Sequence, residues 1–385
     1  MKRPGIAALL LFALWTAPIP ALAHKASDSY LTLTRTGSDS AAISGRWDIA
    51  LRDVDNAITL DTNGDGDISW GEVRAKHRAI AAYALSRLAI ESNGASCSIT
   101  SGEQLIDQHS DGAYTVLRFT GDCPRPGATL TVDYRLLFDI DPQHRGLLQY
   151  VEAGAASSVI FGVDSHRQSI GGAAAGPFEQ FRQYVRDGIW HIWLGFDHIL
   201  FLLSLLLPAV LLRRGRAWLP ATSFGAVAID VAKIVTAFTI AHSITLTLAT
   251  LGVVSPNVRW IESGIALSVE LAALNNVFPL VKNGRWVAAF GFGLIHGFGF
   301  ASALKDLGLP TGSLVLSLFG FNVGVEIGQL AIVALFLPIA FALRETWAYR
   351  RALLAGGSIA IATIAGVWLV ERAFNVALPG LAFAG

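Results

Sequence analysis

The sequence predicts a polytopic α-helical membrane protein of about six spans, preceded by a small β-rich domain outside the membrane. Of the 385 residues, 53% are hydrophobic and only 15% are charged, whereas soluble domains carry about 25% charged residues. The apolar excess begins after Asp187, while residues 24–186 have the composition of a soluble domain. The formal net charge is zero and no basic tract is present. These features argue against nucleic acid as a partner and indicate a lipid bilayer.

The first 23 residues have the pattern of a secretory signal peptide. Lys2 and Arg3 precede an apolar stretch at 6–15, and residues 21–23 form a small-x-small cleavage site. The alternative is an uncleaved anchor helix. Cleavage after residue 23 would leave His24 at the amino terminus, where its α-amine and ring nitrogen together can chelate a metal ion. A chance residue at the cleavage site explains His24 equally well.

Residues 24–163 are expected to form the β-rich domain. Alternation of apolar and polar residues predicts strands in three segments: 28–50, 114–119 and 129–138. The stretch 71–90, rich in Ala and Arg, predicts an inserted helical element. Cys97 and Cys123 are the only cysteines and both lie in the exported part, so they predict a disulfide between two strands. Residues 164–188, rich in Ser and Gly, are interpreted as a linker.

The membrane domain, 189–371, contains six apolar runs of about the length needed to cross the hydrocarbon core. They are 189–212, 231–252, 260–281, 286–304, 314–343 and 352–371. Cytoplasmic loops carry an excess of Lys and Arg. Most loop charges fall on one side: Arg213, Arg214, Arg216, Lys282, Arg285, Arg344, Arg350 and Arg351. Fewer fall on the other: Arg259, Lys305 and Arg372. We therefore expect a bacterial inner-membrane protein with its amino-terminal domain and its tail, 372–385, in the periplasm.

Residues 61–72 match the loop of an EF-hand calcium site without a gap. Gly66 stands where the loop turns sharply. The ligand positions are occupied by residues that offer oxygen: Asp61, Asn63, Asp65, Asp67, Ser69 and Glu72. EF-hands usually pair and only one such loop is visible, so we interpret it as a structural calcium site. The alternative is a solvated acidic turn that binds nothing.

Ionisable residues inside the predicted spans are the main functional candidates, because a charge within a bilayer is costly. The first span carries His191, Asp197 and His198. On one continuous helix the two histidines would share a face at about 10 Å along the axis. That distance is too great for one ion, so they are expected to be successive stations on a path. Asp197 would orient the His198 ring or bind the ion directly.

The other spans contribute further polar residues to the predicted site: His242, Glu262, Glu270, His296, Asn322 and Glu326. In the expected orientation they lie in the periplasmic half of the membrane or near its midplane, so they are expected to converge on one cavity open to the periplasm. The glycines that flank His296 would let neighbouring helices approach closely. Imidazole and carboxylate groups suit nickel, cobalt, zinc or iron, without a choice among them. Any one of these residues could instead only join two helices.

Three segments carry a resemblance to a known family: His-x5-Asp-His at 191–198, Ala-His-Ser at 241–243 and His-Gly-x-Gly at 296–299. They resemble the HupE/UreJ family, over about 188–343, and the chain looks like the branch with a long periplasmic extension. The resemblance implies nickel uptake and carries over a set of candidate residues: His191, Asp197, His198, His242 and His296. The Asp-His pair also resembles the His-x4-Asp-His signature of nickel–cobalt transporters, although the spacing here is one residue longer.

The leading hypothesis is a permease for a divalent transition metal. The first span would receive the ion, and His242, His296 and Glu326 would pass it inward. A permease of this kind should have polar residues at successive depths of the bilayer, including residues on the cytoplasmic side of the midplane.

Two hypotheses of other classes remain open. A membrane-embedded zinc hydrolase would gather three histidines around one zinc ion, with Glu262, Glu270 or Asp197 as general base. Ser243 would then stabilise an oxyanion. A non-enzymatic accessory or assembly factor would use its spans only as an anchor.

Overall fold

The computed structural model describes residues 27–374, apart from 110–111, 128, 143, 154, 172–176, 215–216, 279–280, 282–283 and 300–310. A β-rich domain comes first and a helical bundle follows, as predicted. The predicted signal peptide, His24 and most of the predicted tail lie outside the described residues.

Two sheets form the amino-terminal domain, one in the order β5-β6-β2-β1-β8-β9 and the other in the order β10-β7-β3-β4. Their strands are β1 (Asp28–Arg35), β2 (Ala42–Ala50), β3 (Leu88–Ser92), β4 (Ala95–Ser96), β5 (Ser98–His109), β6 (Gly112–Asp122), β7 (Thr129–Tyr134), β8 (Arg145–Glu152), β9 (Ala155–Phe161) and β10 (Arg167–Gly171). β1 pairs antiparallel with β2 and parallel with β8. Strands therefore occur in all three predicted segments, although β7 ends at Tyr134, before the end of the predicted segment 129–138.

The two sheets share one hydrophobic core with three short helices, α1 (Leu51–Ile58), α2 (Trp70–Ala75) and α3 (His77–Leu85). Apolar residues at alternate positions of strands such as β1 and β7 point into this core, and Trp47 of β2 and Tyr134 of β7 are fully buried there. The predicted helical element ends earlier than expected, because β3 begins at Leu88.

Cys97 and Cys123 form a disulfide, which confirms the predicted pairing. Cys97 lies between β4 and β5, and Cys123 follows the last residue of β6. β5 and β6 are neighbours in the larger sheet. The bond therefore joins the two strands at the end where their pairing stops.

The bundle contains α4 (Pro177–Leu194), α5 (Phe196–Leu206), α6 (Phe224–Thr250), α7 (Val258–Val277), α8 (Arg285–His296), α9 (Thr311–Leu343) and α10 (Gly357–Phe374). A hairpin of β11 (Leu211–Arg214) and β12 (Ala217–Pro220) joins α5 to α6, and a π-helical segment (Ala348–Gly356) leads into α10. Among the described residues, three helices are long and apolar enough to cross a membrane: Phe224–Thr250, Leu314–Leu343 and Ala348–Phe374. The bent pair α4–α5 is a fourth if it counts as one span.

Three sequence predictions differ from this arrangement. The predicted linker, 164–188, contains strand β10 and the first part of α4. The predicted first span, 189–212, is not one helix, because the chain bends by 71° between α4 and α5. α8 ends at His296, before the end of the predicted span 286–304. Among the described residues, neither α7 nor α8 is by itself both long and apolar enough to cross a membrane, so the spans 260–281 and 286–304 and the total of six spans remain predictions.

Glycine residues let the helices of the bundle pack backbone against backbone. A Cβ atom at Gly324 of α9 would lie 2.1 Å from the carbonyl oxygen of Val185 in α4. A Cβ atom at Gly293 of α8 would lie 2.5 Å from the carbonyl oxygen of Phe238 in α6. Gly297, beside His296, touches the same helix at His242. The prediction that glycines near His296 permit close approach is confirmed.

The two ends of the bundle differ in charge and in neighbours. At one end, Arg344 donates to the carbonyl oxygen of Ala221 and Arg285 pairs with Asp230, which places these arginines beside the start of α6. We call this the arginine-rich end. The opposite end of α6 meets the β-rich domain, since Ala249 and Leu147 belong to one apolar cluster.

We expect Gly293→Leu to destabilise the bundle, by about 1–3 kcal/mol, because the new side chain would overlap the backbone of α6. Thermal unfolding of the detergent-solubilised protein, followed by size-exclusion fluorescence, measures the effect. Gly291→Leu is the matched control, since Gly291 is exposed and nothing lies within 4 Å of a Cβ atom there. Equal unfolding temperatures for the two variants would contradict the packing described.

Candidate metal centre

The bend at Gly195 brings two predicted site residues together. On a straight helix His191 and His198 would lie about 10 Å apart, but their ring centroids are only 4.7 Å apart. The prediction that they are separate stations on one helix face is therefore wrong. It assumed a continuous helix, and Gly195 instead has an extended backbone between α4 and α5.

Two further histidines complete the cluster. His242 of α6 lies 6.3 Å from His191 and 6.4 Å from His198 between ring centroids, and His296 of α8 lies 5.1 Å from His198. One ligand nitrogen from each of His191, His198 and His242 lies within 4.8 Å of the others. Four helices thus contribute one histidine each to a single cluster, which we call the histidine cluster.

Hydrogen bonds fix the tautomers of His198 and His242. His198 Nδ1 donates to Asp197 Oδ1 at 2.8 Å. His242 Nδ1 donates to Asn322 Oδ1 at 3.2 Å, and the Asn322 amide is held in that orientation by donating to the Leu318 carbonyl. In a neutral imidazole one nitrogen carries the proton and the other accepts. Both rings therefore present Nε2 as the free lone pair.

His296 has the opposite tautomer. The Ser268 hydroxyl donates its one proton to the Ile265 carbonyl at 2.6 Å. It must therefore accept from His296 Nε2, which lies 2.8 Å away. The remaining lone pair of this imidazole lies on Nδ1.

The nitrogens that remain are buried and have no hydrogen-bond partner in the described part of the chain. They are His198 Nε2, His242 Nε2 and His296 Nδ1. The side chains themselves are 6%, 0% and 1% exposed, and rings such as Phe201, Phe238 and Phe321 pack around them. Buried polar atoms normally have a partner, because burial without one costs about 1–3 kcal/mol. This arrangement has the donor set and the orienting hydrogen bonds of a metal-binding site.

The predicted carboxylates do not all join the histidines. Asp197 does so through His198. Glu326 accepts a hydrogen bond from Thr236 at 2.7 Å, one helical turn along α9 from Asn322. Glu270 faces α10, where a Cβ atom at Gly366 would lie 3.7 Å from its carboxylate oxygen. Glu262 lies at the start of α7, and its carbonyl accepts from Arg372.

Sequence reasoning missed Ser268, which accepts from His296, and Asp187, whose Oδ2 atom is buried without a hydrogen-bond partner among the described residues. Ser268 is a common helix residue, and nothing in its sequence context distinguishes it from Ser263 on the same helix. Asp187 lies before the predicted first span, yet it precedes His191 by four residues, a spacing that puts two helical side chains on one face. That spacing was the available signal.

The predicted calcium loop has a defined backbone geometry. Asp61 accepts from the amides of Gly64 and Gly66, and Gly66 has φ +85°, a left-handed conformation that favours glycine. Glu72 accepts from the amides of Thr62 and Ser69. Backbone hydrogen bonds from Ser69 and Thr62 lower the pKa of Glu72 to about 2. Its carboxylate is therefore ionised throughout the neutral range.

A second group of possible ligands lies in the β-rich domain, on Asp48, Asp107 and His109. Arg46 occupies it, since the guanidinium pairs with both carboxylates, at 2.7 Å for Asp48 and 2.5 Å for Asp107. His109 donates from Nε2 to Asp48 at 3.0 Å. The group is thus neutralised by the chain itself and does not resemble the histidine cluster.

Comparison with known families agrees with this architecture. The family described as HupE / UreJ protein matches residues 167–372, which is more than half of the chain and contains all of the bundle helices except the last two residues of α10. The chain belongs to the HupE/UreJ family. No curated protein matches the sequence. In this HupE/UreJ protein the four clustered histidines all lie inside the matched range, whereas nearly all of the β-rich domain and the calcium loop lie outside it.

We expect histidine-selective ¹⁵N NMR of the metal-free protein to show the Nδ1–H tautomer for His198 and His242 and the Nε2–H tautomer for His296. Single His→Gln variants assign the signals. Ser268→Ala removes the acceptor of His296 and should shift only the His296 signals, whereas Ser263→Ala, on the same helix, should shift none of the three. An Nδ1–H tautomer for His296 in the parent protein would contradict the hydrogen-bond assignment.

Proposed function

We propose that this protein is a permease for a divalent transition-metal cation of the nickel or cobalt type, and that the histidine cluster holds the cation during passage. The main supporting observation concerns His198, His242 and His296. In each ring one nitrogen donates an orienting hydrogen bond, and the other nitrogen is buried without a hydrogen-bond partner among the described residues. A bound cation would give these buried nitrogens a partner, beginning with His198 and His242, which together with His191 form the compact three-histidine group. Neutral imidazole is a preferred ligand of nickel, cobalt and zinc.

The nitrogen atoms of the rings are slightly further apart than the ligands of a fully formed metal site. Nitrogens at 2.0–2.1 Å from one tetrahedral ion lie about 3.3 Å from each other, and the three nitrogens of His191, His198 and His242 lie within 4.8 Å. Small rotations of the side chains would close the site. A transported ion needs a site that both binds and releases it, which such an arrangement provides.

Polar residues continue from the cluster toward the arginine-rich end, which favours passage over storage. Thr239 pairs with Gln329 at 3.1 Å and Thr236 with Glu326 at 2.7 Å. Thr236 lies six residues before His242 on α6, about 9 Å further along the helix. Glu326 Oε2 is buried without a hydrogen-bond partner among the described residues. Glu326 is the next ligand for a cation that leaves the histidines.

The proposed topology places the β-rich domain in the periplasm and the arginine-rich end in the cytoplasm of a bacterial inner membrane, with six crossings. The basic residues gather at the end of the bundle opposite the β-rich domain, as the positive-inside rule requires. α7 and α8 are the two additional crossings. α7 has 20 residues, enough for a span of about 30 Å, and α8 enters from the arginine-rich end.

A zinc-dependent hydrolase is the second candidate, because the three-histidine group is as compact as a catalytic zinc site requires. Asp197 already orients His198, and Glu262 and Glu270 lie at other helix contacts. Of the three carboxylates that the hydrolase hypothesis names as general base, Asp197 is thus engaged by His198, and the described contacts of Glu262 and Glu270 are with α10. Transport is therefore the better supported of the two functions.

The loop 61–72 is proposed to hold one structural calcium ion. The amides of Gly64, Gly66 and Asp67 are already turned into the loop by the carboxylates that precede them, so the backbone is close to the shape that calcium ligation needs. The loop connects α1 to α2. A bound ion would hold this connection against the core of the β-rich domain.

The metal prediction concerns binding and uptake together. Purified protein should bind about one equivalent of nickel or cobalt, and His198→Ala and His296→Ala should each lower the affinity at least tenfold. Elemental analysis and isothermal titration measure binding, and proteoliposomes loaded with a fluorescent metal indicator measure uptake. His166→Ala, which changes a half-exposed histidine of the β-rich domain, is the matched control.

The outcome distinguishes the candidates. The permease is supported if the parent and the control variant take up the metal and the two cluster variants do not. Tightly held zinc without uptake moves the assignment to the hydrolase. No transition metal after loading removes the metal hypothesis and leaves a membrane accessory factor.

The calcium prediction is a gain of stability. Millimolar calcium should raise the unfolding temperature of the β-rich domain in the parent protein, and Glu72→Gln should remove most of this gain. Because the pKa of Glu72 is about 2, the gain should not change with pH from about pH 5 upward. Glu103→Gln is the control, since Glu103 is an exposed carboxylate outside the loop. Equal calcium responses in both variants would contradict a site at this loop.

A further inference from the structure

The acceptors that orient two rings of the histidine cluster differ in charge. Asp197 Oδ1 accepts from His198 Nδ1 at 2.8 Å, whereas Asn322 Oδ1 accepts from His242 Nδ1 at 3.2 Å. A hydrogen bond to a charged acceptor is shorter and about twice as strong as one between neutral groups. The ring of His198 is therefore paired with a carboxylate, and the ring of His242 is paired with a neutral amide.

Asn322, on α9, is fixed in the orientation that presents its amide oxygen to His242. Its Nδ2 atom donates to the carbonyl oxygen of Leu318 at 2.8 Å, one turn earlier on the same helix. The amide group cannot turn over without losing this bond. Both Asn322 and His242 are buried, so water does not replace either partner. The ring of His242 is thus oriented as firmly as that of His198, without a charge.

The charge of the acceptor influences how strongly a ligating histidine holds a metal ion. A carboxylate that accepts from the far nitrogen makes the imidazole a stronger ligand, and its negative charge attracts the cation directly. A neutral amide orients the ring but adds no such charge. Metal affinity typically changes about 10- to 100-fold when a partner of this kind is altered. His242 is therefore the weaker ligand of the two.

Along the proposed route, the neutral acceptor comes between two carboxylates. Asp197 lies beside His198 at the start of α5, and Glu326 follows Asn322 by one turn of α9. Glu326 Oε2 is buried without a hydrogen-bond partner within the described ranges. A cation at His242 thus has a carboxylate ahead of it, and no carboxylate is attached to the ring that it must leave.

We propose that Asn322 is a positioning residue that sets the strength of the metal site, because its neutral amide orients His242 without holding the cation there. The inference rests on the proposed function, since it assumes that the cation passes His242 and is released. The one carboxylate beside His198 supports binding, and the neutral acceptor of His242 permits release. The substitution Asn322→Asp would turn an exchangeable site into a retentive one.

The test measures binding and release of cobalt by full-length protein in lipid nanodiscs, because the visible absorption of cobalt reports histidine ligation. Asn322→Asp should bind cobalt at least tenfold more tightly, and should release it to a chelator at least tenfold more slowly. In proteoliposomes the same variant should take up cobalt with a lower KM and a lower kcat. Damage to the fold alone would not lower KM.

The reverse and the combined substitutions show whether the charge acts through the rings. Asp197→Asn keeps an oxygen that can accept from His198 but removes the charge, so cobalt affinity should fall at least tenfold. The double variant, Asp197→Asn with Asn322→Asp, moves the carboxylate from one ring to the other. Its affinity should lie between those of the two single variants, near the parent value.

Asn276→Asp is the matched control. Asn276 of α7 is also buried, and its Nδ2 atom donates to the carbonyl oxygen of Ser204 and to the hydroxyl of Ser358. The control therefore loses the same kind of bond that Asn322→Asp loses at Leu318. Its cobalt affinity should equal that of the parent, even where its thermal unfolding temperature falls.

If Asn322→Asp does not fold, Asn322→Leu decides. Without the amide oxygen, His242 should no longer be confined to the Nδ1–H tautomer in ¹⁵N NMR, and cobalt binding should weaken at least tenfold. An unchanged His242 tautomer and unchanged affinity in this variant would show that Asn322 only joins two helices.

Two further results would overturn the inference and leave the histidine site intact. Parent-like or weaker cobalt binding in a folded Asn322→Asp variant would show that the acceptor does not set the strength of the site. Equally tightened binding in Asn276→Asp would show a general effect of negative charge in the bundle. A parent protein that binds no cobalt would overturn the proposed function and this inference with it.

Discussion

The four histidine rings meet because the helices that carry them approach one another backbone to backbone. α4 and α9 touch at Gly188 and Gly324, and α6 and α8 touch at Gly293 and Gly297. In a bilayer, where apolar side chains gain little by leaving lipid, such close contacts supply much of the attraction between helices. Side chains at these positions would push the helices apart and separate the rings. The geometry of the site is thus set by residues that contribute no ligand.

Each ring is also oriented by an acceptor of its own. Asp197 serves His198 from the adjacent position, Asn322 serves His242 from α9, and Ser268 serves His296 from α7. The acceptors come from helices other than the ring's own in two of the three cases. A shift of any one helix would therefore disturb both the position of a ring and the nitrogen that it presents. Packing and ligand chemistry are coupled through these three hydrogen bonds.

Much of the architecture could be predicted from local sequence. Alternation located the strands, the pair of cysteines located the disulfide, and apolar runs located the helices of the bundle. The bend at Gly195 could not be predicted in this way, because a single glycine in an apolar run is compatible with a continuous helix. That one residue decided whether His191 and His198 were 10 Å apart or adjacent.

The same limit of prediction from local sequence applies to the site residues. Histidines in apolar spans are costly enough to attract attention individually, and all four predicted histidines are in the cluster. The carboxylates were less predictable, since Glu270 has the same sequence signature as a ligand but faces α10. Ser268 was missed because its role depends on which helix lies opposite, and this is information that only the packed bundle contains.

The contact between the β-rich domain and the bundle has a consequence for the order of assembly. The apolar cluster joins Leu147, near the middle of the chain, to Leu318 and Phe321 of α9, which are synthesised much later. The domain can close its own core around Trp47 and Tyr134 as soon as it emerges. Its face against the helices is complete only when α9 is in place, although the residues of α4 and α6 in the same cluster are synthesised earlier. Full docking of the domain therefore follows the synthesis of α9, and until then the surface around Leu147 and Ile160 lacks part of its apolar cover.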